Sequence, residues 1–203
     1  MSESTTPPPR RSALANVWHP GDHGRIGFTG PQVTLRERRD ITAIQLDAQR
    51  GTTDGVGKAV AAAFGLGLPG PGRATTTGDV RALWLGPDRW LLQTATPADL
   101  EPRLRSLTEG VGGVVVDQSH GRTILRIEGA KARDTLAKST GIDLHPRAFA
   151  ENAVAQTSLF QLAVTIDRRR GTSIFDVHAM RGFAVHLYEA LLDAGGEYGV
   201  RLV

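Results

Sequence analysis

The chain has 203 residues, 40% of them apolar, with 24 basic against 21 acidic side chains and a formal charge of +3. That suffices for one domain or two intimately packed halves, burying roughly 70% of the surface an unfolded chain exposes. Cysteine is absent, which excludes disulfides, thiolate nucleophiles, iron–sulfur clusters and cysteine-ligated zinc.

Residues 1 to 24 are rich in Pro, Ser, Thr and Gly and hold too little apolar material to order alone. They are expected to form an extended arm across a partner, with Trp18 as interface anchor, because a lone tryptophan in a tail needs somewhere to bury. The opening "MSESTTPPPRRSALAN" lacks the apolar segment of a secretory signal, and no apolar run approaches the ~20 residues of a bilayer span. The expected setting is the cytoplasm, away from membranes.

Beyond Gly24, strands and helices alternate. "QVTLRE" and "ITAIQLDAQ" alternate apolar and polar positions, with Ile44 and Leu46 on one face. Asp54 to Phe64 reads as a helix, since Val56, Val60 and Phe64 recur every four residues and Gly65 can supply a left-handed stop. "GLGLPGPGRATTTG" reads as a loop, without the GK[ST] ending of a phosphate cradle. "DVRALWLG" and "WLLQTA" read as a hairpin around Gly86-Pro87-Asp88-Arg89, Pro87 presetting the turn. Thr96 and Pro97 read as cap and first residue of a helix striped by Leu100, Leu104 and Leu107, with Pro102 as a blemish within it.

Val114 to Val116 read as a strand buried on both faces. Thr123, Leu125 and Ile127 alternate with Ile124, Arg126 and Glu128, and Lys131 to Lys138 forms a short helix. "SLFQLAVTID" reads as one long strand with Phe160, Leu162, Val164 and Ile166 inward. After the turn "RRRG", "TSIFDVHA" pairs back on it. Arg181 to Asp193 is the clearest helix, with Phe183, Leu187 and Leu191 at fourfold spacing and Gly195-Gly196 ending it.

The halves repeat. "AIQLDAQ", a helix and "GLGLP" match "ILRIEGA", a helix and "GIDLHP"; the hairpin and leucine-striped helix then recur. Each unit reads β-α-β-β-α, and the offset grows from 76 residues (Leu68 to Leu144) to 84 (Trp90 to Ile174) through a loop insertion. The expected fold is α+β, two intertwined ferredoxin-like repeats over 25–116 and 117–203 in one globular unit.

Chemical constellations are sparse. "DQSH" (117 to 120) contains a Ser-His-Asp set, but triads are assembled in space from distant segments; here Asp117 or Ser119 is expected to accept backbone N–H bonds at a strand end. His19, Asp22 and His23 lack a further strong ligand for a metal. His178 and His186 read as core-edge residues. All but three basic residues are arginine, scattered except at Arg10-Arg11, "RERR" (36 to 39) and "RRR" (168 to 170). Nucleic-acid binders concentrate charge and interleave aromatics, so these read as solvated or interface arginines. No catalytic, cofactor-binding or metal residue is assigned.

The segments "LGPDRWLL", "VVDQSHGRTILRIEGAKARDTLAKSTGIDLHPRAF" and "TSIFDVHAMRGFAVHLYEALLDAGGEYGV" resemble the gamma-subunit family of heterotetrameric sarcosine oxidases. The "DxSH…RIxGxxARDxL" and "DRWLL" pieces are also similar to aminomethyltransferase and YgfZ-type folate-binding proteins. The resemblance implies two intertwined ferredoxin-like repeats. It also implies membership of an enzyme that demethylates sarcosine with O2, giving glycine, H2O2 and formaldehyde or 5,10-methylene-tetrahydrofolate. It places NAD and the folate-handling domain on an alpha subunit, FAD and covalent FMN on beta and zinc on delta, with no cofactor on gamma. The alternatives are a folate-binding protein of the YgfZ or aminomethyltransferase type, or a gamma-like subunit of another N-methyl amine oxidase.

Overall fold

The computed structural model describes residues 11–95 and 99–203; the cap expected at Thr96 and the helix start at Pro97 lie outside them. In chain order the elements are β1 (Gly21–His23), β2 (Val33–Glu37), β3 (Thr42–Ala48), α1 (Thr53–Phe64), β4 (Ala74–Thr77), β5 (Val80–Gly86), β6 (Arg89–Thr94), α2 (Leu100–Thr108), β7 (Gly113–Asp117), β8 (Arg122–Glu128), α3 (Ala132–Ala137), β9 (Val154–Leu159), β10 (Leu162–Arg168), β11 (Ile174–Met180), α4 (Ala184–Gly195) and β12 (Val200–Leu202). A one-turn 3-10 helix, Arg181–Phe183, leads into α4. No helix among the described residues is long and apolar enough to cross a membrane.

Five strands form one sheet in the order β4-β5-β6-β3-β7, and seven form the other in the order β1-β12-β2-β8-β11-β10-β9. The units β3-α1-β5-β6-α2-β7 and β8-α3-β10-β11-α4-β12 are ferredoxin-like, each with an added edge strand, β4 or β9. In the larger sheet β2 lies between β8 and β12, antiparallel to the first and parallel to the second. A strand that precedes the first unit thus sits inside the sheet of the second, which is how the repeats intertwine. The edges are stitched where Val154 N–H donates to Gly72 O and Ala74 N–H to Asn152 O, both at 2.8 Å.

Helices cover the outer faces. α1 and α2 bury Val56, Val60, Leu100 and Leu104 against Ile44, Leu46, Ala82, Trp90 and Leu92 of the five-stranded sheet. α3 and α4 bury Leu136, Leu187, Tyr188 and Leu191 against Leu125, Ile127, Phe175 and Val177 of the other. The inner faces meet over a smaller apolar cluster that includes Ala43, Leu83 and Leu91 on one side and Ile124 and Val154 on the other.

Local physics explains the boundaries. α1 stops where Gly65 takes φ 61° and returns its N–H to Ala61 O, the left-handed cap read from the sequence. α2 starts at Leu100, so Pro102 falls in its first turn, where an amide has no acceptor and a missing N–H costs nothing; the first helical bond runs from Arg103 N–H to Asp99 O. Its buried stripe is Leu100, Leu104 and Thr108.

Other expectations are corrected. β7 is an edge strand: Val115 is 6% exposed, but Val114 and Val116 are 43% and 41% exposed, because no neighbour covers their face. "SLFQLAVTID" is a hairpin, with Phe160 and Gln161 at φ 50° and 64° turning β9 into β10. Phe183 precedes α4 and is half exposed; Ala184, Leu187, Tyr188 and Leu191 form the buried face instead. β4 and β12 lie in stretches read as loop or left unassigned. Trp90 and Phe175, not Ile174, occupy equivalent helix-facing sites, so the repeat offset at β6 and β11 is one residue larger than read, and such a slip exchanges the faces of a strand.

Candidate functional site

Strand register assembles a polar surface on the inner face of the seven-stranded sheet. Arg36 lies opposite Arg126, Arg126 opposite Asp176, and Asp176 opposite Asp167, one row across four strands. The adjacent row runs Ile124, His178, Thr165, Gln156, and in the next Arg122 lies opposite Met180.

The first row is ion-paired, and one of its pairs reaches the other sheet. Arg126 donates two bonds to Asp176, at 2.7 and 2.9 Å. Arg81, from β5, donates two to Asp167, at 2.8 and 2.5 Å. Asp167 is fully buried and Arg81 nearly so, and a buried charge is tolerated only when paired and hydrogen-bonded. Remaining Arg81 N–H groups reach Thr76 Oγ1 at 2.8 Å and Asn152 Oδ1 at 3.0 Å. Arg169 stands 3.3 Å from Asp167 and 3.7 Å from Asp176. Burial pushes the Asp176 carboxyl up, but the Arg126 hydrogen bonds and the charges of Arg126 and Arg169 outweigh it, leaving its pKa below 3.8. The Arg81–Asp167 pair ties the two sheets together, while Arg126 and Asp176 pair within the larger sheet.

In the second row Gln93 of β6 contacts His178 Nδ1 at 3.3 Å. His178 is buried, not at the core edge as its sequence context suggested, and desolvation lowers its pKa to about 4. Beyond this contact the inner face is uncovered, leaving an open cleft of about 560 Å³ floored by Thr165, His178 and Met180 and rimmed by Arg122, Gln156 and Ser158.

The residues singled out from the sequence lie apart. Asp117 Oδ1 accepts the Ser119 N–H at 2.7 Å, and Ser119 Oγ accepts the Ala43 N–H at 3.0 Å; "DQSH" is a strand-end turn, and exposed His120 borders an open pocket of about 600 Å³ together with Asp117 and Ser119. Asp22 pairs with Arg201 at 2.8 and 3.0 Å, and His23 Nε2 lies 2.9 Å from His19 O. His186 is exposed, 3.3 Å from Phe160 O. Trp18 has a home within the chain: it packs against Tyr188 with ring centroids 5.3 Å apart, while Leu14 nearby is fully buried. Among the described residues no three His, Asp or Glu side chains group to hold a metal.

The segments that carry the family resemblance build scaffold. Asp88, at φ 56° in the β5–β6 turn, accepts the Thr53 hydroxyl at 2.5 Å and so fastens α1. Trp90 is buried with its indole N–H on Pro69 O at 2.9 Å. Sequence reading missed the buried pairs, yet a signal existed: "VRALWLG", "VTIDR" and "IFDVHA" each set a charged residue among mostly apolar ones, which is informative once both faces are covered.

A doubled ferredoxin-like body of this architecture is shared with the aminomethyltransferase T of the glycine cleavage system from Bartonella henselae, at a TM-score of 0.62 and 17% identity over 85% of this chain and 48% of that one. At that identity the likeness defines the fold. A chain of the heterotetrameric sarcosine oxidase from Corynebacterium sp. U-96, solved with pyrrole 2-carboxylate, overlays at a TM-score of 0.80 and 33% identity, covering 93% of this chain and 96% of that one. Sarcosine oxidase subunit gamma of Corynebacterium sp. (strain U-96) is 37% identical over 82% of this chain and 80% of its own length. The Arthrobacter sp protein of the same name is 34% identical over 85% and 84%. Residues 50–197 match the Sarcosine oxidase, gamma subunit family, and the chain belongs to that family.

Proposed function

We propose that this chain is a structural gamma subunit, without a reaction centre of its own, in a heterotetrameric sarcosine oxidase of the cytoplasm. The assembled enzyme oxidatively demethylates sarcosine with O2, giving glycine, H2O2 and formaldehyde, or 5,10-methylene-tetrahydrofolate when tetrahydrofolate accepts the carbon. NAD and the folate-handling domain belong to the alpha subunit in this reading, FAD and covalent FMN to beta, and zinc to delta. The near end-to-end overlay with a chain of such a heterotetramer carries the reading. The polar groups support it: the buried carboxylates Asp167 and Asp176 are both engaged by arginines, the first across the sheets and the second within the larger one.

Residues 25–116 and 117–203 act as two repeats of one body, and residues 1–24 as an arm. Trp18 holds the arm on Tyr188 and presents its remaining surface to a neighbour. A stable subunit contact buries ~2000 Å² or more, and tryptophan and arginine are its favoured anchors. Native mass spectrometry of the complex from its source tests the reading, with this chain expected alongside three others and their flavins. Turnover by the purified chain alone would overturn it, and tight tetrahydrofolate binding by that chain in calorimetry would favour the folate-binding alternative. Trp18→Ala is expected to weaken co-purification while the isolated variant stays folded; unchanged association rejects the anchor.

A further inference from the structure

Arg122, the first residue of β8, stands apart from the arginines around it. Arg81, Arg126 and Arg169 each face a carboxylate, and Arg38 pairs with Asp40 at 2.9 Å. Arg122 makes no ion pair among the described residues, and its Nε is buried without a hydrogen-bond partner. Burial lowers its pKa with no anion to offset the effect. A guanidinium partly drawn out of water and left unpaired costs free energy, so the surroundings of Arg122 are incomplete in the isolated chain.

Those surroundings specify what is missing. On one side Arg122 shares a small pit with Arg11, Arg38, Arg39 and Arg181. The acid there, Glu37, is engaged by the Ser12 hydroxyl and by Arg39 at 2.6 Å. On the other side Arg122 rims the open cleft over β9 to β11, which no carboxylate of the described residues lines. His178, in its floor, has a buried Nε2 that is also without a partner. Met180 lines the cleft 51% exposed, and Phe183, three residues on, is 50% exposed.

We propose that this cleft receives an acidic, partly apolar segment of a neighbouring subunit, its carboxylate on Arg122 and an apolar side chain over Met180 and Phe183. The inference rests on the subunit reading above and names the patch through which that contact is made. Charge selects the occupant: five arginines converge on the pit, and its one carboxylate is engaged. The apolar flank argues for a polypeptide, since a free anion would satisfy Arg122 and leave Met180 and Phe183 in water. Exposed apolar side chains beside an unpaired arginine have the make-up of an interface anchor site.

The test uses the whole complex, co-expressed with a tag on another subunit, and the dissociation constant of this chain. Arg122→Glu and Met180→Asp are each expected to weaken retention about tenfold or more, equivalent to ~1.4 kcal/mol. Raising salt from about 0.05 to about 0.5 M, which shortens the screening length severalfold, weakens wild-type retention more than that of Arg122→Glu. Neither side chain makes a hydrogen bond among the described residues, so both isolated variants keep the wild-type melting curve. Should Arg122→Glu unfold, Met180→Asp decides alone. Retention of both variants with wild-type affinity and salt dependence overturns the inference. So does saturable binding of acetate that needs Arg122 while Met180→Asp leaves retention unchanged, which makes the cleft a free-anion site. If the wild-type chain fails to co-purify, the subunit reading itself falls, a result distinct from either.

Discussion

Where helices meet sheets this protein buries leucine, isoleucine and valine; where sheet meets sheet it buries arginine and aspartate beside a small apolar cluster. The outer cores supply bulk stabilisation, at about 25 cal/mol per Å² of apolar surface removed from water. That term is non-directional, and two similar repeats could stack on their inner faces in several registers at comparable apolar gain. Arg81 with Asp167 and Gln93 with His178 are directional, and each joins residues 85 or 86 positions apart. The contrast motivates a hypothesis: the outer cores make each repeat stable, and the polar seam fixes how one repeat sits on the other.

The sharpest way to break that comparison is at Asp167. Asp167→Ala leaves the Arg81 guanidinium buried without its counter-ion and is expected to cost about 3–5 kcal/mol in chemical denaturation, as for other broken buried pairs. Replacing both partners by leucine is expected to be near neutral by the same measure, because both desolvation penalties vanish together. The double variant, however, should lose slow amide exchange along β5 and β10 if the pair orients the repeats. Unaltered exchange there would leave the pair without an orienting role.

How much of this was legible beforehand follows from the same division. Helix-facing surfaces show up as local periodicity, so Val56 with Val60 and Leu187 with Leu191 gave their helices away, and Gly65 marked its own stop. The seam is non-local, and one sequence holds no sign that Arg81 and Asp167 meet. Short edge strands fail for a different reason. β4, "ATTT", and β12, "VRL", owe their strand conformation to neighbours, not to an apolar pattern of their own. The β9–β10 turn escaped because Phe160 and Gln161 hold the two positive φ angles that Asn-Gly usually announces. Trp18 is expected to anchor on a partner because Tyr188, its contact within the chain, lies 170 residues away, and the cleft beside Arg122 is an uncovered stretch of sheet face that periodicity does not encode.

A second way to sharpen the comparison is through pH. His178 is buried and its folded pKa is about 4, against about 6.5 when unfolded. Between these values the unfolded chain takes up a proton that the folded seam excludes. Stability is therefore full above about pH 6.5, declines as pH falls, and levels off for this group below about pH 4, a loss of up to ~3 kcal/mol. Asp176 contributes in a lower window, because its pKa lies below 3.8. His178→Gln is expected to flatten the stability profile between pH 6.5 and 4, read by urea midpoints across that range. A wild-type profile already flat there would mean that the imidazole is protonated in the fold.

The smallest effects belong at β7, where one strand spans both regimes. Val115 faces α2 inside the outer core, while Val114 and Val116 project on the side the other sheet does not reach. Val115→Ala is expected to cost about 2 kcal/mol, the value of burying that side chain. Val116→Thr keeps the β-branched shape on an exposed face and is expected to stay within about 0.5 kcal/mol of wild type. A comparable loss from both, by thermal or urea unfolding of the isolated chain, would mean that the inner face of β7 is covered in solution. In the assembled complex that outcome acquires a different sense: if Val116→Asp leaves the isolated chain stable but weakens its retention, the bare edge of the smaller sheet is itself a contact, second to the cleft beside Arg122.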